Sequence, residues 1–194
     1  MRRQSIALAV GLMAIILIMV SAAQSADNAA ANLANLFSEK WAGYEIRYPS
    51  AWVLEKPKEF TVLFAGRQGT DDYYTTVTVQ NVASTKSGGR HQNVGSLVSS
   101  IKQQFKTGDP QARIYNEGTM PFTSEEGTPV QAVVFECTYR REGTDFQQWA
   151  VIVPRASDRV YHVFFYTSPV KFYDRNIKTA REMLATFRLT KENR

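Results

Sequence analysis

The residue types able to do chemistry are sparse in this chain: two histidines, one cysteine and a few charged loops. His91 ends a Gly-rich run, Ser87-Gly88-Gly89-Arg90-His91, and His162 alternates with Val160, Phe164 and Tyr166. A zinc site takes three or four ligands at characteristic spacings. Two isolated histidines with no acidic or cysteine cluster do not supply them, so His162 reads as a packed or edge-facing strand residue. No metal and no cofactor is expected. Cys137 falls between Phe135 and Tyr139 on one face of a strand. A reactive thiol needs an accessible, electropositive setting, and a buried one behaves as a small hydrophobe. The second reading is the expectation here.

Adjacent acids occur at Asp71-Asp72 and Glu125-Glu126. Neighbours in sequence do not create the opposed geometry of a catalytic carboxyl pair, and these read as solvated turns. Lys86, Arg90 and the Gly-rich run have the composition of an anion cradle ahead of a helix. They lack the Gly-Lys-Ser/Thr ending of a phosphate loop, and Gly and Ser serve equally as a flexible connector. No catalytic residue is assigned. A small hydrolase built on His162 or His91 stays as a rival reading.

Binding residues are easier to nominate. Trp, Tyr and Arg are enriched where binding energy concentrates. Trp41 and Tyr44 precede or open the first clear strand, Tyr73-Tyr74 precede another, and arginine pairs sit at two turns, Arg140-Arg141 and Arg155 with Arg159. These eight are the candidate interface. The competing readings are a Trp41 that caps the core and turn charges that face water and discourage edge pairing.

The elements that position these residues follow from periodicity. Alternation predicts strands at Tyr44–Tyr48, from Trp52 until Pro57, at Phe60–Ala65 and at Tyr73–Val82. Val94, Leu97, Val98, Ile101 and Phe105 form a helical stripe, closed by Gly108-Asp109-Pro110. Ala112–Tyr115 reads as a short strand. Val130–Tyr139, Phe146–Val153 and Val160–Thr167 are three strong strands whose short connections force an antiparallel meander. Ser168-Pro169 has the chemistry of a helix start, followed by a stripe from Val170 to Phe187. Strands with helices at two places imply a layered α+β domain.

Ahead of that domain stand Arg2-Arg3, an apolar run from Ile6 to Val20 and small residues from Ser21 to Ala26. Basic start, short apolar middle and small-residue exit describe a secretory signal peptide. The run is shorter than the roughly 20 apolar residues of a spanning helix, so cleavage and export to the periplasm or medium are expected, with no stable membrane insertion afterwards. Residues 26–40 read as a leader or short helix, and 41–190 as one domain, a size that buries a core without staples. With a single cysteine no intrachain disulfide forms. Two of the five net positive charges are Arg2 and Arg3, and the rest are scattered. Nucleic acid asks for a clustered basic face and is excluded as a partner.

Two motifs carry a family resemblance. Tyr44-Glu45-Ile46-Arg47-Tyr48-Pro49-Ser50-Ala51-Trp52 is similar to the F-x-I-x-Y-P-x-x-W opening of the PsbP/Mog1/DcrB-like superfamily. The Tyr-rich strand Val160–Ser168 followed by a helix ending Thr186-Phe187-Arg188-Leu189 resembles its close. The resemblance spans about Trp41 to Leu189. It implies an α/β/α sandwich around a mostly antiparallel sheet. It also implies a mostly non-catalytic role, since such proteins serve as photosystem accessory subunits, as a small-GTPase binder and as chaperones of secreted effectors. None of these roles maps residue by residue onto this chain. The expectation is an exported, non-enzymatic binding or assembly-accessory module whose partner is an envelope protein or small ligand. An envelope chaperone, which requires a sizeable exposed apolar patch, is the alternative.

Overall fold

The computed structural model of the protein describes residues 32–191. The expected signal peptide, residues 1–25, lies outside the described residues.

In chain order the first elements are β1 (Asn35–Glu39), β2 (Tyr44–Tyr48), β3 (Val53–Lys58), β4 (Thr61–Ala65), β5 (Thr76–Ala83) and α1 (Val94–Gly108). They are followed by β6 (Arg113–Thr123), β7 (Pro129–Arg141), β8 (Thr144–Pro154), β9 (Val160–Pro169), α2 (Tyr173–Thr186) and β10 (Arg188–Leu189). Seven strands pair in the order β3-β4-β5-β9-β8-β7-β6, every neighbour antiparallel. The remaining three form a small sheet, β1-β2-β10.

Alternation along each strand divides the core in two. One face sends Val151, Val153, Phe164, Tyr166, Val77 and Phe64 against α2 and the small sheet. There they meet Ala180, Met183 and Leu184 of α2 and Phe37, Tyr44 and Ile46 of β1 and β2. The other face sends Phe135, Ala150, Ile152 and Val163 against Leu97, Val98 and Ile101 of α1. Burying side chains of this size contributes roughly 1.5–3 kcal/mol each, so both helices are held by their apolar stripes. This is the α+β sandwich around an antiparallel sheet that the sequence predicts.

Four local expectations are corrected. Asn35–Glu39, expected as leader or short helix, is a strand in full register with β2, and Leu33 and Phe37 pack in the core. The boundary expected at residue 41 therefore falls inside the β1–β2 hairpin. The second correction is at Pro57, which does not stop β3. The strand passes it with a register shift between Glu55 and Lys58, as an edge strand tolerates. The third is β6, which is no stub at Ala112–Tyr115. It continues to Thr123 by absorbing Asn116 (φ 51°) in a bulge between Tyr115 and Gly118. The fourth is Ser168, which does not cap α2. It stays in β9 opposite Gln147 and its hydroxyl meets that of Thr75 at 2.9 Å. A 3-10 turn at Val170–Phe172 comes before the helix.

Candidate functional site

The interface residues nominated from sequence separate into buried and exposed sets. Tyr44 is 1% exposed, a correction to its place in the interface. Its ring stacks on Phe187 at 5.2 Å and meets His162 edge-on at 5.3 Å. Burial pushes its hydroxyl well above the ordinary tyrosine range, with Glu39 adding to the effect. Arg155 is 2% exposed, a second correction. Its Nη1 donates to the carbonyls of Ala42 (3.0 Å) and Gly43 (2.8 Å), and its Nη2 to that of Thr190 (2.7 Å). Its Nε donates to Glu125 at 3.2 Å. One guanidinium thus ties the β1–β2 turn, the β6–β7 turn and the segment after β10 to the end of β8.

His162 belongs to the same buried cluster. Arg155 Nη1 lies 3.4 Å from its Nε2, and Asn81 Oδ1 lies 2.9 Å from its Nδ1. An arginine has no acceptor, so Nε2 accepts and Nδ1–H donates to Asn81. Burial first and the Arg155 charge second push this histidine from 6.5 down to about 3. It is a neutral structural residue, not a base poised near neutrality. Cys137 is equally enclosed. Burial, aided by Glu136, raises its thiol to about 12, which removes the thiolate needed of a nucleophile.

The Gly-rich loop spends its donors on itself. Ser87 and Gly89 N–H reach Ser84 O, and Gly88 N–H reaches Thr85 O. His91 pairs with Ser84 as an isolated bridge. The donors an anion would need point inward, and the connector reading holds. The helix behind it is capped by Asn93, whose side chain accepts from Ser96 N–H at 2.9 Å.

Exposed candidates do exist. Trp41 is 56% exposed and packs on Phe60 at 5.0 Å. Tyr73 and Tyr74 form an exposed ring pair at 5.1 Å. Their loop is pinned to α2 through Asp71–Arg175 and Asp72–Asn176, both 2.7 Å. Arg140 and Arg141 project from the β7–β8 hairpin beside Asp145 and Glu142. Arg159 is half-buried at the β8–β9 turn.

Sequence reasoning missed a concavity beside α2. A groove of about 700 Å³ opens where the α2 layer meets β6. Its floor is Phe122, Trp149, Leu184 and Phe187, and its rim carries Met120, Ala185, Arg181 and Arg188. The Arg181 guanidinium sits 5.8 Å from the Trp149 ring. Arg188 Nη1 donates to Ala185 O at 2.7 Å and Phe187 O at 3.0 Å, closing the end of α2. Neither arginine pairs with a carboxylate among the described residues, and the groove lining contains none. The available signal was Trp149, out of phase with Gln148 and Ala150 and so on the α2 face of the sheet.

Comparison with known proteins adds the fold. No protein-family model matches the chain, and no curated protein matches it significantly. Among solved structures it is similar to the Ran-binding protein Mog1p of Saccharomyces cerevisiae. That match has 7% identity and TM-score 0.55 and covers 80% of this chain and 94% of that one. The cyanobacterial PsbP (CyanoP) of Synechocystis sp. PCC 6803 is similar at 14% identity and TM-score 0.52, covering 80% and 91%. PA94 of Pseudomonas aeruginosa, a protein of unknown function and putative regulator, is similar at 14% identity and TM-score 0.53, covering 82% and 98%. On these likenesses the chain has a PsbP/Mog1-like fold.

Proposed function

We propose that this protein is an exported, non-enzymatic binding or assembly-accessory module of the cell envelope. The α2–β6 groove is its docking site, and a protein partner fills it with an apolar segment flanked by acidic residues. The groove carries the reading: an aromatic and aliphatic floor under two arginines with no carboxylate partner among the described residues. Such a site suits a ligand that is apolar at its centre and negative at its ends. Export is supported by the basic, apolar and small-residue order of the first 26 residues. No helix among the described residues is long and apolar enough to cross a membrane. The Ran-binding role in the name of Mog1p is consistent with a protein partner. Trp41, Tyr73 and Tyr74 are proposed as additional contacts beyond the groove.

A strand added to the seven-stranded sheet does not fit. The β6 edge is broken by its bulge and by Pro121, and the β3 edge by Pro57 and exposed Glu55, Lys56 and Lys58. Interrupted, charged edges resist strand addition, which leaves side-chain docking in the groove. A photo-crosslinking residue at the exposed position Ala185 tests this in the native host. One stoichiometric envelope protein attached at 185, and not at exposed Ser99 on α1, is expected. Many exported proteins at low yield mark the chaperone reading instead, and no adduct at 185 overturns the groove.

A further inference from the structure

The α1 face of the sheet is only half covered. Antiparallel register places Gln148, Thr167 and Thr76 in one row across β8, β9 and β5, and Phe165 and Thr78 in the next. Toward β7 the first row continues to Cys137 and the second runs through Ala150 to Phe135, which packs against α1. Toward β5 they emerge as a polar surface that α1 does not reach. The space between helix and surface is a pocket of about 460 Å³, within the size range of small-molecule sites, roughly 300–1,000 Å³.

The chemistry of its walls is specific. Thr76, Thr78 and Gln80 line it from β5, Gln104 from α1, and Gln148 and Thr167 from the floor. Gln148 is 5% exposed. Its Oε1 accepts from Thr167 at 2.9 Å, while its Nε2 has no hydrogen-bond partner among the described residues. The side chains of Thr76, Thr78 and Gln80 have none either. The Gln148 amide nitrogen is therefore a donor held by a buried side chain and available to a molecule that enters the cavity. Phe165, Phe105 and Tyr139 supply flat apolar surface beside these groups. The charged groups at the mouth are paired: Asp109 accepts from the Gln111 and Arg140 backbone N–H groups at 2.9 and 2.7 Å, Arg140 is 3.8 Å from Asp145 and Arg141 is 3.6 Å from Glu142.

Threonine hydroxyls and glutamine amides both donate and accept, and none is ionised. The charged lining residues Asp109, Arg140 and Arg141 are engaged with one another or with Asp145 and Glu142 at the mouth, and a wholly apolar ligand leaves the Thr76, Thr78 and Gln80 side chains without partners. The complementary molecule has many hydroxyls in a ring and an apolar C–H face for the aromatics. We propose that the pocket between α1 and β5 is a binding site for a neutral mono- or disaccharide, with Thr76, Thr78, Gln80 and Gln148 as its hydrogen-bonding residues. This site lies on the opposite sheet face from the α2–β6 groove and does not depend on what that groove binds.

The test is an amide-resolved NMR titration of the full chain with cellobiose, maltose and diacetylchitobiose. Saturable shifts confined to Thr76, Thr78, Gln80, Gln104 and the Gln148 side-chain amide are expected with at least one probe, the Trp149 indole signal staying fixed as an internal reference. Thr78→Val keeps the β-branched shape and removes one hydroxyl, and should weaken that binding about five- to tenfold. Gln80→Leu is the second variant if the first shifts the unfolding midpoint. Absence of saturable shifts with all three sugars overturns the proposal. So does binding that perturbs Trp149 instead, or binding that both variants leave unchanged.

Discussion

Arg155 and His162 show what a single residue can do here that its neighbours in sequence do not reveal. Arg155 follows Pro154 in a turn, where arginines usually face water, and the turn reading put it on the surface. It is drawn inward because the carbonyls of Ala42, Gly43 and Thr190 converge there from three distant segments. No local pattern encodes that convergence. Arg155→Met leaves those carbonyls and Glu125 without their donor, so a loss of about 3–5 kcal/mol is expected in urea unfolding. His162 gives a pH dependence whose sign is fixed. The unfolded chain protonates it near 6.5 and the native chain only near 3. The unfolded state therefore binds more protons between those values. Its contribution to stability is full above pH 6.5 and is lost as pH falls toward about 3. His162→Gln should flatten the fall by up to about 1.4 kcal/mol per pH unit, read from urea midpoints across that window. Cys137 was legible from its apolar neighbours alone. With its thiol raised to about 12, alkylation should track global unfolding and be negligible in the native protein.

Long, strongly patterned elements were readable, and short or interrupted ones were not. The β7–β8–β9 meander and α1 follow directly from alternation and a helical stripe. Asn35–Glu39 contradicts its helix-like composition because pairing with β2 and burial of Phe37 outweigh weak local propensity. Ser168 has good capping chemistry, yet β8 is long enough to hold its segment in the sheet. β6 crosses Gly118 and Pro121 because an edge strand needs only one partner. The Gly-rich loop offers an element-scale prediction. A Cβ on Gly89 would lie 1.8 Å from the carbonyl oxygen of Ala83, whereas Gly88 faces open space at φ 80°. Gly89→Ala should cost about 2 kcal/mol or more. Gly88→Ala should cost only the left-handed backbone penalty of about 1–2 kcal/mol. Thermal unfolding of the pair separates the two effects.

At the scale of the whole molecule, the layered α+β arrangement was legible because each face of the sheet needs its own apolar partner, whereas the β5–β9 pairing and the separate β1-β2-β10 sheet were not. The grooves were not, since both arise where a covering layer stops short of the sheet it covers, and that depends on lengths rather than patterns. Phe187 links the two scales: it stacks on Tyr44 in the buried cluster and touches Phe122 on the groove floor at 5.8 Å. The central claim is that the α2–β6 groove docks a partner. It is tested most directly by quantitative capture of crosslinked envelope proteins with the wild-type chain and with Ala185→Glu, which fills the exposed rim and sets a negative charge between Arg181 and Arg188. The account predicts one partner whose recovery drops about tenfold or more in the variant at unchanged unfolding midpoint, a change worth about 1.4 kcal/mol of binding. Equal recovery by both chains contradicts it.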